Sequence, residues 1–405
     1  MPVFDYEAID QNGRKKKGSL EGNDIQAVKN SLKTQGLVPV SVQKQTILTK
    51  DLDISIGKQV SSKELAIFCR QFSSIINAGV TIVSALEMLY EQSENKYLSK
   101  AVREVQTAVE KGESLAEGMR SQPKVFPEIL VNMIEAGEAS GSLDVAFDRM
   151  TTHFEKSDTL KSTVKNAMIY PVVVIIVSIA VVILMMVKVV PSFLDMFEQV
   201  DGELPAITKM VIAISNFITS HGLFLSLVLV SVIAVFCIYK NSDKGRYQLS
   251  VLALKLPFIG KLVRKSSAAT FTRTLSTLLA SGISLIEAVE ITAKVVDNQV
   301  FKEVLLQAKD EVERGVALSE PLEASGVFPP MVYRMIRIGE ETGNMESMLD
   351  KVADFYEEDV ENATKALMTI MEPLIIIVLA LVVGTIMLAV MSPMFELYNS
   401  VSNAA

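Results

Sequence analysis

Two short acidic runs hold the side chains best placed for ligand chemistry: GEASG at Gly137–Gly141 and GEETG at Gly339–Gly343. Around the first, Glu135, Glu138 and Asp144 put three carboxylates close together in the chain, a set that a hard cation such as calcium can use. Their spacing fits no EF-hand loop, and Arg337 stands two residues before the second run where Glu135 stands two residues before the first. The residue types favour a helix connection, with glycines for turns or close backbone approach and Glu138 and Glu340 at helix termini. Arg70 and Arg273 have the charge to bind an acidic partner, but pairing inside a bundle is the favoured reading. His153 and His221 are the two histidines, too few for a zinc or triad hydrolase. Neither G-x-x-x-x-G-K-[ST] nor G-x-G-x-x-G occurs, so nothing cradles a nucleotide phosphate. No catalytic, cofactor-binding or firm metal residue is assigned, and the chain does not read as an enzyme.

The elements that must position these residues are mostly helical and partly in a membrane. Of 405 residues, 49% are hydrophobic and 21% charged, a balance that excludes disorder and disfavours a wholly soluble protein. A net charge of −8 gives no field to draw in nucleic acid. Cys69 and Cys237 suggest no disulfide framework. The opening MPVFDYEAIDQNGRKKKG has no apolar stretch after a basic start, so no cleavable signal peptide is expected. Three segments are apolar enough to cross a bilayer, which takes about 20 residues. They are 166–190, a less clearly bounded 222–239, and 373–392. Between Lys240 and Lys265 the chain carries Lys240, Lys244, Arg246, Lys255, Lys261, Arg264 and Lys265 against Asp243 alone, which reads as cytoplasmic. Attraction to anionic headgroups is the other reading of that run. The connection 191–221 holds Asp195, Glu198, Asp201 and Glu203 against Lys209, and the tail 393–405 has no lysine or arginine. Both read as external.

Internal repetition ties the parts together. FCRQFSSIINAGVTIVSALE (Phe68 to Glu87) aligns without a gap to FTRTLSTLLASGISLIEAVE (Phe271 to Glu290), pairing Arg70 with Arg273 and Gly79 with Gly282. One residue is then lost, and VFPEILVNMIEAGEASGSL matches VFPPMVYRMIRIGEETGNM, pairing Gly137, Glu138 and Gly141 with Gly339, Glu340 and Gly343. The register continues into the apolar segments, where Pro171 pairs with Pro373 and Pro191 with Pro393. Each unit is a soluble domain, 63–165 or 266–372, followed by a span. Two such units in parallel need one extra crossing between them, and the unpaired second span supplies it.

Phe68, Phe72, Ile75, Ile76 and Gly79 fall on one helical face, as do Phe271, Leu275, Leu278, Leu279 and Gly282. Each unit therefore reads as an antiparallel helical bundle. Residues 1–43 differ: an alternating run, the turn residues Asn12-Gly13, a return strand, a helix capped by Asp24 and ended by Gly36, then Val38, Val40 and Val42 make a small ββαβ module. Residues 44–62 form a linker and 240–265 a basic connector. The fold class is a mainly α membrane protein with two repeated cytoplasmic bundles, three transmembrane helices and a small N-terminal α+β module.

These stretches, together with AMIYPVVV, VVPSFLDMFEQVDGELPAITK, LKLPFIGKLVR and MEPLIII, closely resemble the inner-membrane platform protein F family of bacterial type II (general) secretion systems. That family is related to the platforms of type IV pilus machines. The resemblance covers essentially the whole chain. It implies six helices per bundle, an N-terminus in the cytoplasm and a C-terminus in the periplasm. It implies as partners the secretion ATPase (protein E), inner-membrane components L and M, pseudopilins, the lipid bilayer and a second copy of the chain, and no catalysis. It also brings in a divalent cation such as calcium at Glu135, Glu138 and Asp144, against which Arg337 argues in the second copy. The opening module and the EQSENKY stretch favour the secretion branch over a pilus platform. A secondary transporter is the rival class, disfavoured because the spans hold no acid and the repeat is not inverted. Small residues such as Gly384 and Ala389 are expected to receive the membrane helices of filament subunits.

Overall fold

The computed structural model describes residues 3–9, 15–21, 24–34, 38–44, 60–197, 206–257 and 259–404. The Asn12-Gly13 turn, Gly36, most of the linker, and Glu198, Asp201 and Glu203 lie outside them. The chain divides into two units, Met1–Lys58 and Gln59–Ala405. In the first, β1 (Val3–Ile9), β2 (Lys15–Glu21) and β3 (Val38–Lys44) form an antiparallel sheet in the order β2-β1-β3. A register shift falls between Glu7 and Ala8. Helix α1 (Ile25–Thr34) starts where the Asp24 carboxylate accepts the Ile25 N–H at 2.6 Å. Ala8 and Val28 are fully buried, whereas Val38 and Val40 face outward. Lys15, Lys16 and Lys17 sit on the edge strand β2, where charge discourages further strand pairing.

In the second unit, α2 (Ser62–Asn77), α3 (Ile82–Gln92), α4 (Lys96–Glu110), α5 (Leu115–Arg120), α6 (Glu128–Ser140) and the start of α7 (Leu143–Leu184) build the first bundle. A π-helical turn (Met185–Val189) and α8 (Val190–Phe197) follow, then α9 (Ala206–Asn241) and α10 (Asp243–Lys255). The second bundle uses α11 (Ile259–Ala280), α12 (Leu285–Val295), α13 (Gln299–Glu313), α14 (Ser319–Ser325), α15 (Pro330–Thr342) and the start of α16 (Met345–Ala404). Local signals set the ends. Ser61 and Glu64 form a reciprocal capping box at α2. Gly79 and Gly282 follow α2 and α11 at φ 82° and 80°, a conformation glycine adopts without cost. The short helices α5 and α14 leave no readable periodicity in the sequence.

The two bundles share one continuous apolar core. In the first, Phe68, Phe72, Phe126 and Phe147 cluster, with Phe72 and Phe147 stacked at 4.1 Å between ring centroids. In the second, Phe271, Phe301 and Phe328 cluster instead, while Leu275 and Leu349 occupy the places of Phe72 and Phe147. Phe301 stands where the first copy has Leu98, so large side chains have moved while each core stays filled.

Helices α7 and α16 run without interruption out of the bundles into apolar segments with mean hydropathy 3.1. Pro171 lies buried within α7, which continues past it, and Pro191 falls in the first turn of α8. Pro373 lies within α16. Two helices are therefore long and apolar enough to cross a membrane, or three if the bent α9 is one span. The second span expected at 222–239 falls within α9, which begins at Ala206, is bent by 71° between its 206–222 and 226–241 parts, and leaves helical geometry at His221. The bend falls where Thr219 and Ser220 hydroxyls bond the carbonyls of Ser215 and Asn216 and where Gly222 adds freedom. The stretch 191–221, read as a plain connection, is largely helical outside 198–205. Ala389, expected as a docking position, is covered by the chain itself. It is buried, and its carbonyl accepts the Thr208 hydroxyl at 2.7 Å. Gly384 faces open space.

Candidate functional site

Glu138 and Glu340 do the same thing in both copies. From the C-terminal part of α6, the Glu138 carboxylate accepts the backbone N–H groups of Leu115 at 2.7 Å and Ala116 at 2.9 Å. These open α5, whose first-turn donors have no partner within the helix. From α15, Glu340 accepts the N–H of Leu318 at 2.5 Å and of Ser319 at 3.3 Å, and the Ser319 hydroxyl at 2.7 Å. Each glutamate thus anchors the start of a short helix that has little stability of its own. The glycines beside them are steric. A Cβ on Gly137 would lie 2.7 Å from Ala146 Cβ, and one on Gly339 would lie 2.7 Å from Met345 Cα. Gly141 and Gly343, both at φ 71°, end α6 and α15 and turn the chain into the long helices.

The other two members of the proposed cation set have partners of their own. Glu135 pairs with Arg120, and at the matching positions of the second copy Arg337 pairs with Glu323. The charges have exchanged places and the bridge remains, which accounts for Arg337 opposite Glu135. Asp144 lies in the first turn of α7, and its backbone carbonyl accepts the Ser73 hydroxyl. Ser276 bonds the Glu346 carbonyl in the same way. Among the described residues, no group of three or more His, Cys, Asp or Glu side chains is arranged to hold a metal.

Arg70 and Arg273 show where the copies part. Arg70, on the outer face, pairs with Glu155, and the two side chains are 64% and 43% exposed. Arg273 is 12% exposed because α7 of the first bundle packs against α11 and α16 of the second. It bonds Glu357 through Nε at 2.7 Å, Asp354 at 2.5 Å, and Asp350. Lys156, reaching across from α7, meets Glu357 at 2.9 Å and Asp354 at 3.4 Å. Burial works against the charged Arg273, but hydrogen bonds to Glu357 and Asp354 and attraction from Glu357 and Asp350 outweigh it and hold its pKa above the ordinary value. The Glu357 hydrogen bond likewise raises Lys156. Beside them His153 is buried, and burial, with Arg273 and Lys161 nearby, lowers its pKa to about 4. It is therefore neutral at neutral pH. Arg149 to Ser281 at 3.2 Å and Lys294 to Glu128 at 2.9 Å add further links between the bundles.

Sequence reasoning named Arg273 and missed Lys156, His153, Asp354 and Glu357. The signal available was that Glu155 and Glu357 occupy equivalent positions, each facing the repeated arginine. The seam joins the two bundles through ion pairs around the largely buried Glu357.

Comparison with known proteins gives a consistent result. A family model described as "Type II secretion system (T2SS), protein F" matches residues 68–191 and again 271–393. Its N-terminal-domain counterpart matches residues 1–43. The type IV pilus assembly protein PilC of Pseudomonas aeruginosa is 38% identical, over 92% of this chain and 99% of that protein. PilC of Thermus thermophilus is 36% identical over 99% of this chain and 100% of that protein. The type II secretion system protein F of Vibrio cholerae is 31% identical over 99% and 100%.

Proposed function

The chain belongs to the type II secretion system protein F family, and from that premise we propose that it is the inner-membrane platform on which a bacterial envelope machine assembles a filament. The observation that carries this reading is helix continuity. Helices α7 and α16 pass from a shared bundle core into apolar segments without a break. Force applied to the bundles by a cytoplasmic assembly ATPase would reach the membrane without loss at a hinge. The seam around Arg273 supports the same role, since it couples both bundles into one body. The platform is not a catalyst. Its task is to let subunits with apolar membrane anchors leave the bilayer for the filament.

In this reading the bent α9 is the second of three crossings, the N-terminal module, both bundles and the basic connector lie in the cytoplasm, and the C-terminal tail lies in the periplasm, a reading supported by the excess of lysine and arginine in 240–265. Between branches, identities of 36% and 38% to the pilus proteins against 31% to the secretion protein favour a pilus platform. The opening module and the EQSENKY stretch weigh the other way, towards the secretion branch. In the secretion branch the partners would be the ATPase (protein E), components L and M and the pseudopilins. In the pilus branch an assembly ATPase and pilins take their places. Deleting the chain from its source bacterium and scoring sheared surface pilin and exported proteins separates the branches. Loss of surface pili with export intact is expected; loss of export alone returns the secretion reading; unchanged pili and export would refute the platform.

A further inference from the structure

A cavity of about 720 Å³ lies where two apolar helices meet the soluble bundles. Its wall includes Val164, just before the apolar run of α7, and Lys240, just after the apolar run of α9. Arg246 from α10 and Lys294 and Lys302 from the second bundle complete a ring of four cations against the single carboxylate of Asp297. Lys294 is engaged by Glu128 and Glu290. Lys240, Arg246 and Lys302 make no ion pair among the described residues. The positive-inside pattern accounts for Lys240 and Arg246. It does not account for Lys302, which belongs to a helix far along the chain and arrives by folding.

The cavity is held in shape from several sides. The Ser250 carbonyl and hydroxyl of α10 accept the Asn298 side-chain amide at 3.4 Å and the Gln299 N–H at 3.2 Å. Gly245 lies so close to the Tyr239 carbonyl, and Gly260 to the Leu254 carbonyl, that neither position has room for a Cβ. Helix α10 is thereby fixed to the elements on both sides of it. Beyond the cavity, Met168 on α7 and Phe236 on α9 present exposed apolar side chains.

We propose that this cavity binds the phosphodiester headgroup of an anionic glycerophospholipid, with its acyl chains lying along α7 and α9. The chemistry is a monoanionic phosphate among uncommitted Lys and Arg donors, at the depth where headgroups sit. The volume lies within the usual range for ligand sites. The exposed apolar faces next to the cavity favour a lipid over a free phosphate. The proposal rests on the platform reading only in placing the cavity at the cytoplasmic boundary of the bilayer.

The test uses the full chain in detergent, with native mass spectrometry after adding phosphatidylglycerol or phosphatidylcholine. Phosphatidylglycerol should be retained preferentially, and Arg246→Gln with Lys302→Gln should weaken it about 30-fold, the factor for two charges at about 1 kcal/mol each. Lys261→Gln with Arg264→Gln removes equal charge outside the cavity, from the basic run that holds Arg246, and should leave retention unchanged. Arg246→Lys should also retain the lipid. If the double variant does not fold, Arg246→Gln alone, at an exposed side chain, provides the comparison. Equal loss in both double variants, or equal retention of the two lipids, overturns the site. Displacement of the lipid by millimolar glycerol 3-phosphate overturns the lipid assignment in favour of a soluble anion. None of these results depends on whether deletion abolishes pili.

Discussion

Arg70 and Arg273 are the same residue in two copies of one unit, and truncating each to alanine should have very different costs. Arg273 and Glu357 are 12% and 15% exposed, so their pair is largely desolvated. Removing one member of a buried pair costs about 3–5 kcal/mol, because the other charge is left behind. Two features bring Arg273→Ala to the lower end. Lys156 remains 2.9 Å from Glu357, and Asp350 and Asp354 are 54% and 59% exposed, so water serves them. About 3 kcal/mol is expected. Arg70 and Glu155 are mostly in water, and Arg70→Ala should cost about 0–1 kcal/mol. With soluble helical parts of this size, about 1 kcal/mol moves Tm by roughly 2–4 °C. Thermal melts of the full chain in detergent, followed by circular dichroism, should show Arg273→Ala falling by roughly 6–12 °C and Arg70→Ala by at most about 4 °C. Equal shifts would refute the claim that the seam buries only the second arginine.

Other outcomes follow from the same geometry. Gly339→Ala should destabilise by about 1–3 kcal/mol, since its Cβ meets the Met345 backbone, while Gly384→Ala, facing open space, should leave Tm unchanged. Glu138→Gln with Glu340→Gln should cost about 1 kcal/mol per site, because an amide has one acceptor oxygen for two backbone donors. Filament assembly should stay normal at normal membrane levels; lost assembly at normal levels would mean that a partner uses these charges. His153, with its folded pKa of about 4 against an ordinary 6.5, binds its proton less readily folded than unfolded. Its contribution is present above pH 6.5 and is lost as pH falls towards 4. His153→Phe, matching Phe355 of the second copy, should flatten Tm between pH 7 and 5; an unchanged slope would contradict the buried neutral imidazole.

The repeat, the helical stripes and the apolar runs were all legible in the sequence, because apolar spacing and glycine stops are local signals. Phe72 and Leu275 show up as stripe residues from periodicity alone. The seam was not legible, since nothing local distinguishes Arg273 from Arg70. Its burial depends on α7 of the other copy crossing it, a long-range event. The swap of Arg120–Glu135 for Glu323–Arg337 reads as a broken motif along the chain and as a preserved bridge only in three dimensions. Helices α5 and α14 are too short to show periodicity, and they depend on Glu138 and Glu340 from distant helices.

Whether both bundles lie as one body on the inner side of the membrane is most directly tested by cysteine labelling in intact and permeabilised cells. In a Cys69→Ser, Cys237→Ser background, Ser121→Cys reports the first bundle, Ser242→Cys the connector, Asn344→Cys the second bundle and Ser400→Cys the tail. A membrane-impermeant thiol reagent should reach only Ser400→Cys in intact cells and all four after permeabilisation. Labelling of Ser121→Cys and Asn344→Cys from opposite sides would contradict the account.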